Sequence, residues 1–347
     1  MALTNKKGWL YFLGEIDFKS GQKFSYVKIG KTDYDRPVSD RSNDHQTGNP
    51  RLIIEVADSI RTNFIDTLET YMHHRFATKR VHGEWFLFDE DELNEAVDEA
   101  NRVNELLDSV LIESQSVKEM NKLLSNGKTI APIKSVMTDY EQYVLHENSR
   151  TLHKLNQDIV TAKLRKMTSS NGRLDGVSVL SLVPQKAKFD EVGFENKHPG
   201  ILAKYMKTED KISRSYTIAN KPSAAKSHKE INSVLKEIKS THEEIIAVKE
   251  ILVPRDSSIE SLHYEWLELY EKEAESKIMA EIYSLKLQSA CGENEEIEGV
   301  CKWKRNLQSK VSLDTGALID AESAIYNTFL MAPKYVAKYV VTKFRSY

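Results

Sequence analysis

The chain has 347 residues, enough for two or three domains with sizeable cores. Its 49 basic and 52 acidic side chains leave a net charge of −3, which excludes a uniformly basic nucleic-acid binder but not local basic patches. Two cysteines, Cys291 and Cys301, are too few for a disulfide framework and form no CxxC, so a zinc ribbon is not expected and a reducing compartment is. No apolar run approaches the roughly 18 residues of a membrane span, and the opening MALTNKKGW lacks a secretory apolar stretch. A soluble, cytoplasmic protein without a membrane partner is expected.

Taken in chain order, residues 8–14 and 24–30 are short apolar-aromatic runs around the turn-forming Asp17-Phe18-Lys19-Ser20-Gly21-Gln22, which predicts a β-hairpin with a longer loop. The polar stretch 33–49 holds a short helix at about 36–44, and 52–57 reads as a buried strand. Residues 63–77 form a helix, with Ile65, Leu68, Met72 and Phe76 on one face. A last short strand follows at 84–88. The acidic run 89–99 suits the positive end of a helix that continues to about Ser125; a solvated capping face is the plain reading, a DNA-mimicking strip the other.

Ser125-Asn126-Gly127 and Pro132 mark a break. Residues 135–170 read as helical, 175–183 as strand, and 184–226 as exposed loops or a linker. Two long helices at about 223–252 and 257–290 would form an antiparallel hairpin around Pro254. Residues 297–305 and 310–314 could pair as strands, a helix spans 315–331, and 335–341 ends the chain as a strand. The pattern predicts an α+β fold. A small N-terminal domain (1–95) and a connecting helix (96–130) precede a mixed helical and loop region (131–222) and a helical hairpin with C-terminal strands (223–347).

The densest set of chemical signals lies in the first hundred residues. Gly8-Trp9-Leu10-Tyr11-Phe12 is followed by Val27-Lys28-Ile29-Gly30-Lys31-Thr32, then Arg41 and His45, then Thr47-Gly48-Asn49-Pro50, Glu69 and His73, and Gly83-Glu84-Trp85-Phe86. Read singly, Tyr11 is a strand aromatic in a core, His45 a solvent-facing polar residue and Glu69 a surface carboxylate. In this order they resemble the GIY-YIG endonuclease superfamily, in its phage-T5-type branch. The resemblance covers residues of about 8–88 and implies a GIY-YIG-like α/β unit that hydrolyses DNA phosphodiester bonds.

It implies roles by position. Tyr11 would act as general base toward water or orient that water, which a phenol of pKa near 10 does only if perturbed. Lys28 stands where many members have a tyrosine and could lower the Tyr11 pKa or contact phosphate. Gly30 would let the backbone approach closely. Arg41 would bind phosphate through its fork of donors, with Arg36 as the rival. His45, one helical turn on, would position water or phosphate. Glu69 would be the single ligand of Mg²⁺ or Mn²⁺. Tyr26, Lys31, Arg36 and His73 would contact DNA. The asparagine that many members carry after the glutamate is missing; His82 or Glu84 could replace it. The spacing of the four nearby histidines fits no zinc pattern.

The remaining two-thirds would target the nuclease. The segment from Tyr264-Glu265-Trp266 to Cys301-Lys302-Trp303-Lys304-Arg305 is similar to the closing segment of phage YqaJ-type exonucleases, without their carboxylates. Lys302, Lys304, Arg305 and Lys310 around Trp303 form a basic-aromatic strip suited to DNA. Lys334, Lys338, Lys343 and Arg345 among Tyr335, Tyr339 and Phe344 form another. A solvated strand face or a protein interface reads equally from these residues, and the long helices could support a homodimer. The expected function is a Mg²⁺-dependent endonuclease acting on double-stranded DNA, encoded by a phage or mobile element. A non-cutting DNA-binding protein of the same fold, or a scaffold built on the helices, is the alternative.

Overall fold

The computed structural model describes residues 3, 5–47, 49–219, 226–240 and 248–347. Gly48 lies outside them, as do residues 223–225 and 241–247 of the expected helix at 223–252. The fold is α+β.

Strands β1 (Gly8–Ile16) and β2 (Lys23–Asp33) form the expected hairpin. Asp17 closes its loop, accepting the backbone N–H groups of Lys19 (3.0 Å) and Ser20 (2.7 Å). Helix α1 (Val38–Gln46) leads to β3 (Leu52–Thr62), which pairs on the other side of β1. Helix α2 (Ile65–Arg75) and the short strands β4 (Arg80–His82) and β5 (Trp85–Leu87) complete an antiparallel sheet of order β3-β1-β2-β5-β4.

β1 is central and covered on both faces, which is why its sequence is apolar without alternation. Leu10 and Phe12 belong to the core that includes Ile65, Leu68 and Met72 of α2. Tyr11 and Leu13 pack on the opposite side with Val38 of α1 and Ile53 of β3.

The acidic run caps α3 (Glu90–Asp108). Asp89 accepts the Glu92 N–H at 2.9 Å and Glu92 accepts the Asp89 N–H at 3.1 Å. The helix expected to reach Ser125 breaks at Val110, which leaves helical geometry and is fully buried; α4 (Leu111–Met120) follows. Burying one apolar side chain at the turn divides what the helical period joins.

Beyond β6 (Thr129–Ile130) come α5 (Lys134–Thr168), β7 (Arg173–Leu174), β8 (Ser178–Pro184), α6 (Glu191–Lys197), a 3-10 turn (Leu202–Tyr205) and β9 (Met206–Ile218). Then follow α7 (Lys226–Ser240), β10 (Leu252–Val253), α8 (Ser257–Cys291), β11 (Glu296–Ile297), β12 (Cys301–Leu313), α9 (Thr315–Thr328) and β13 (Tyr335–Val341).

Three expectations are corrected here. Helix α8 runs antiparallel along α5 rather than along α7: Trp266 Nε1 donates to Thr161 Oγ1 (2.9 Å), the Ser276 and Ser149 hydroxyls bond (3.0 Å), and His146 stacks on Tyr283. The segment read as linker contains β9. The stretches read as two pairing strands, 297–305 and 310–314, run into one long strand, β12, which pairs with β9 from Cys301↔Ile218 to Leu313↔Met206. The outer part of this pair is a two-stranded ribbon with both faces wet, so neither strand carries the alternation that a buried face imposes. This ribbon and the β8–β13 pair both lead to a small separate apolar cluster of Phe194, Leu318 and Tyr326.

One continuous core runs from Leu10 of β1 through α2, α3 and α4 to α8 and Trp303, so the N-terminal sheet and the helical region are packed as a unit. At the seam, His74 of α2 is buried, stacked on Tyr270 of α8 with ring centroids 3.6 Å apart. Glu273 lies 3.7 Å from its Nε2, beyond hydrogen-bond range. Burial, with the charges of Lys277 and Lys343, pushes the His74 pKa down to about 3, so the ring is neutral. Neutral His74 stabilises the fold above the unfolded value of 6.5, and that contribution is lost as pH falls toward 3. His74→Phe keeps the stacking and removes the titration. Its urea midpoint should therefore drop less than wild type's between pH 7 and about pH 4.5; equal drops would contradict the assignment.

Candidate active site

Tyr11 and Gly30 face one another across the β1–β2 pair. A Cβ at position 30 would sit 2.5 Å from both Cζ and Oη of Tyr11. The phenol therefore lies over a glycine because no other residue leaves room for it. Tyr11 is fully buried, and its Oη has no hydrogen-bond partner among the described residues.

Helix α1 brings Arg41 to this ring, with His45 one turn further along. The Arg41 guanidinium is close enough to act on Tyr11's ionisation without forming a well-directed hydrogen bond to it. Burial raises the Tyr11 pKa; Arg41 opposes this, and the charges of Glu84 and Glu69 add to it. Arg41 is oriented by Asp44, 3.1 Å from Nη1. Its Nε is buried without a partner, as is Nε2 of His45 one turn later. Burial, followed by the charges of Lys28 and Arg41, lowers the His45 pKa. Arg36, the rival for the phosphate-binding role, bonds the same Asp44 at 2.6 Å.

Helix α2 supplies Glu69, which is 9% exposed. Lys31 Nζ lies 2.8 Å from its Oε2 and 2.7 Å from Asp66. Burial raises the Glu69 pKa, Lys31 opposes it, and the negative charges of Glu84 and Asp66 reinforce it. Burial thus outweighs the Lys31 ion pair, and the Glu69 carboxyl sits above its ordinary pKa. A divalent cation would satisfy it. Among the described residues no three His, Cys, Asp or Glu side chains converge, so a cation here would have one protein carboxylate and fill its shell with water and substrate oxygen. A buried phenol oxygen near a buried carboxylate is a donor set that would suit a hard, oxygen-seeking ion such as Mg²⁺.

Lys28, its side chain nearly buried on β2, is bonded to Glu84. Burial works against ionisation of Glu84, but the hydrogen bond and charge of Lys28, helped by His73 and Arg80, hold its pKa below the ordinary value. The charge of Glu84 reaches Tyr11, His45, Glu69 and His73. Its signal was the Gly-Glu-Trp-Phe run, where sequence named it only as a stand-in for the missing asparagine; His82, the other stand-in, instead meets Phe344 edge-on.

The expected DNA contacts divide. Tyr26 is exposed, and Lys31 is half-exposed at the edge of the site. His73 turns inward: its Nε2 lies 2.8 Å from the Ile29 carbonyl, which can only accept, so Nε2 carries the proton. Burial takes its pKa down to about 4. His73 thus ties α2 to β2 beside Gly30, correcting its reading as a DNA contact. The C-terminal strip is corrected too. Trp303 and Arg305 are buried, with the Arg305 guanidinium 3.9 Å over the Trp303 ring and Nη2 2.8 Å from the Gly292 carbonyl. Lys302 and Lys304 lie on the other face, paired with Glu296 (3.1 Å) and Glu295 (3.4 Å). Alternation along β12 splits the strip, so Trp303 offers no stacking surface.

Residues 8–101 match the T5orf172 domain, a domain found in phage-type nuclease-like proteins. The match takes in every N-terminal site residue discussed above. No curated protein and no solved structure matches the chain.

Gly30→Ala should lower stability by about 1–3 kcal/mol, as overpacking does. The loss should shrink in a Tyr11→Ala background, because the clash is with that ring. Urea denaturation of the four chains checks this; additive losses would contradict it.

Proposed function

We propose that the chain is a metal-dependent DNA endonuclease of the GIY-YIG type, cutting through the cluster of Tyr11, Arg41, His45 and Glu69. The observation that carries this reading is that Tyr11, Arg41 and His45 each bury a polar atom without a hydrogen-bond partner, with Arg41 close to Tyr11 and its charge felt by His45, and with the buried carboxylate of Glu69 acting on the same phenol. Structural polar groups are almost always satisfied when buried. Groups left open together are built to meet a polar ligand, and a phosphodiester supplies the matching oxygens. The T5orf172 match supports a nuclease- or DNA-related function.

Each residue has a derivable task. Arg41, already oriented by Asp44, presents guanidinium donors to a phosphate oxygen. Tyr11 would orient the attacking water, and would take its proton only where a bound cation adds to Arg41 in offsetting the burial that raises the phenol's pKa. His45, its pKa lowered, can accept a hydrogen bond from water through Nε2 at neutral pH. Glu69 would hold Mg²⁺ or Mn²⁺, which stabilises charge developing on phosphate oxygens when bound. Lys28 keeps Glu84 ionised at the rim. Double-stranded DNA as substrate, a phage or mobile-element origin, and a cytoplasmic role in homing, attack on competing DNA or defence belong to the same reading.

One observation favours a second reading. Lys31 already holds Glu69, as a fixed cation would. A protein keeping that ion pair would bind DNA without cutting it.

Plasmid incubation with Mg²⁺ separates the two. Wild type should nick or linearise supercoiled DNA. Glu69→Ala should cut at least a hundredfold more slowly, the scale of losing one transition-state electrostatic group. Arg41→Ala should behave likewise with an unchanged urea midpoint, since α1 is largely solvent-exposed. An inert wild type would favour the non-cutting reading, and an active Glu69→Ala would end the present one.

A further inference from the structure

The sheet face that carries Tyr11 also carries a group the proposed chemistry does not use. Trp9 precedes Tyr11 by two residues on β1 and packs against the same cluster. Along a strand that is roughly 7 Å, a distance one nucleotide spans. The Tyr34 ring lies parallel to the Trp9 indole, with an interplanar angle of 3° and centroids 6.3 Å apart. Trp9 Nε1 donates to the Tyr34 carbonyl at 3.2 Å, which fixes the turn that carries the ring. Arg61, the β3 partner of Trp9, places its guanidinium carbon 4.6 Å over the Tyr34 centroid.

This group faces water. Tyr34 is 45% exposed and Arg61 is exposed. Arg61 has no ion pair among the described residues, whereas the nearby Asp33 is neutralised by Lys6 at 2.8 Å. The result is a fixed, half-exposed aromatic and an exposed guanidinium without an ion pair among the described residues, gathered around Trp9, two residues along β1 from the candidate catalytic phenol. A nucleobase offers a π-face to such a ring, and its phosphate offers charge to such a guanidinium.

We propose that Arg61, Tyr34 and Trp9 form a nucleotide seat, in which the Tyr34 ring stacks the base next to the scissile phosphate and Arg61 binds that nucleotide's phosphate. Trp9 is a positioning residue that holds Tyr34. The placement beside a cut rests on the endonuclease reading. Stacking requires a base freed from its pair, so the seat commits the substrate to an unpaired or distorted nucleotide at the site.

The test is binding, not cutting. Anisotropy of labelled oligo-dT and of an abasic oligomer of equal length is followed without divalent metal, over a range of salt. Wild type should prefer oligo-dT roughly tenfold, the scale of stacking one base. Tyr34→Ala should abolish the preference and Tyr34→Phe should keep it. Arg61→Ala should weaken both oligomers alike and flatten the salt slope by about 0.7, the value for one single-strand phosphate contact. A wild type without preference, a Tyr34→Ala chain that retains it, or an unchanged slope in Arg61→Ala would overturn the seat. The two readings fail separately. An inert wild type with a Tyr34-dependent preference removes only the nuclease assignment; Glu69-dependent plasmid cutting alongside a Tyr34→Ala chain that binds like wild type removes only the seat.

Discussion

The close approach of the Tyr11 ring to Gly30 is the contact on which the N-terminal site depends. It places a bulky polar side chain on the inner face of a central strand, where the neighbouring strand must give up its own side chain to receive it. Once the phenol lies there, Val38 of α1 packs in the same cluster, and one turn further along that helix Arg41 comes beside the hydroxyl. Burial then does the electrostatic work. Removing Tyr11 and Glu69 from water raises both pKa values, and each carries a proton more readily than it would on the surface. A site of this kind stores unfavourable solvation that a charged ligand relieves.

Helix α2 joins this site to the rest of the molecule. One side of it offers Glu69 to the cluster and ties His73 to the backbone of β2. Its other side presents His74 to Tyr270 of α8. Just beyond the helix, Thr78 gives both its N–H and its hydroxyl to Glu271 of α8, each at 2.6 Å. The helical region is more than an appended module, since its core is continuous with that of the sheet.

Much of the sheet and the site was legible because local rules and tertiary structure agree there. The apolar-aromatic runs became β1 and β2, the 3.6-residue period of Ile65, Leu68, Met72 and Phe76 became α2, and the charges of Arg41 and Glu69 both reach Tyr11. What stayed hidden depended on which way a side chain points across a ladder. Trp303 and Arg305 look like a basic-aromatic strip in one dimension but share the buried face of β12, while Lys302 and Lys304 share the other. β9 escaped notice because a ribbon without a core face has no hydrophobic period. The pairing of α8 with α5 rather than α7 depends on contacts between segments more than a hundred residues apart, such as Thr161 with Trp266, which no local pattern reports. Glu84 was visible as a letter, but its reach across the cluster needed the sheet to bring β5 beside β2.

The central claim is that Glu69 and Tyr11 flank a site for one divalent cation. Titration with Mn²⁺, followed by the loss of the free-ion electron paramagnetic resonance signal, tests it directly and needs neither DNA nor turnover. Wild type should bind one Mn²⁺ that Mg²⁺ displaces, and Glu69→Gln, which keeps the shape and removes the charge, should bind none. Equal Mn²⁺ uptake by the two chains, or no uptake by wild type, would contradict the account.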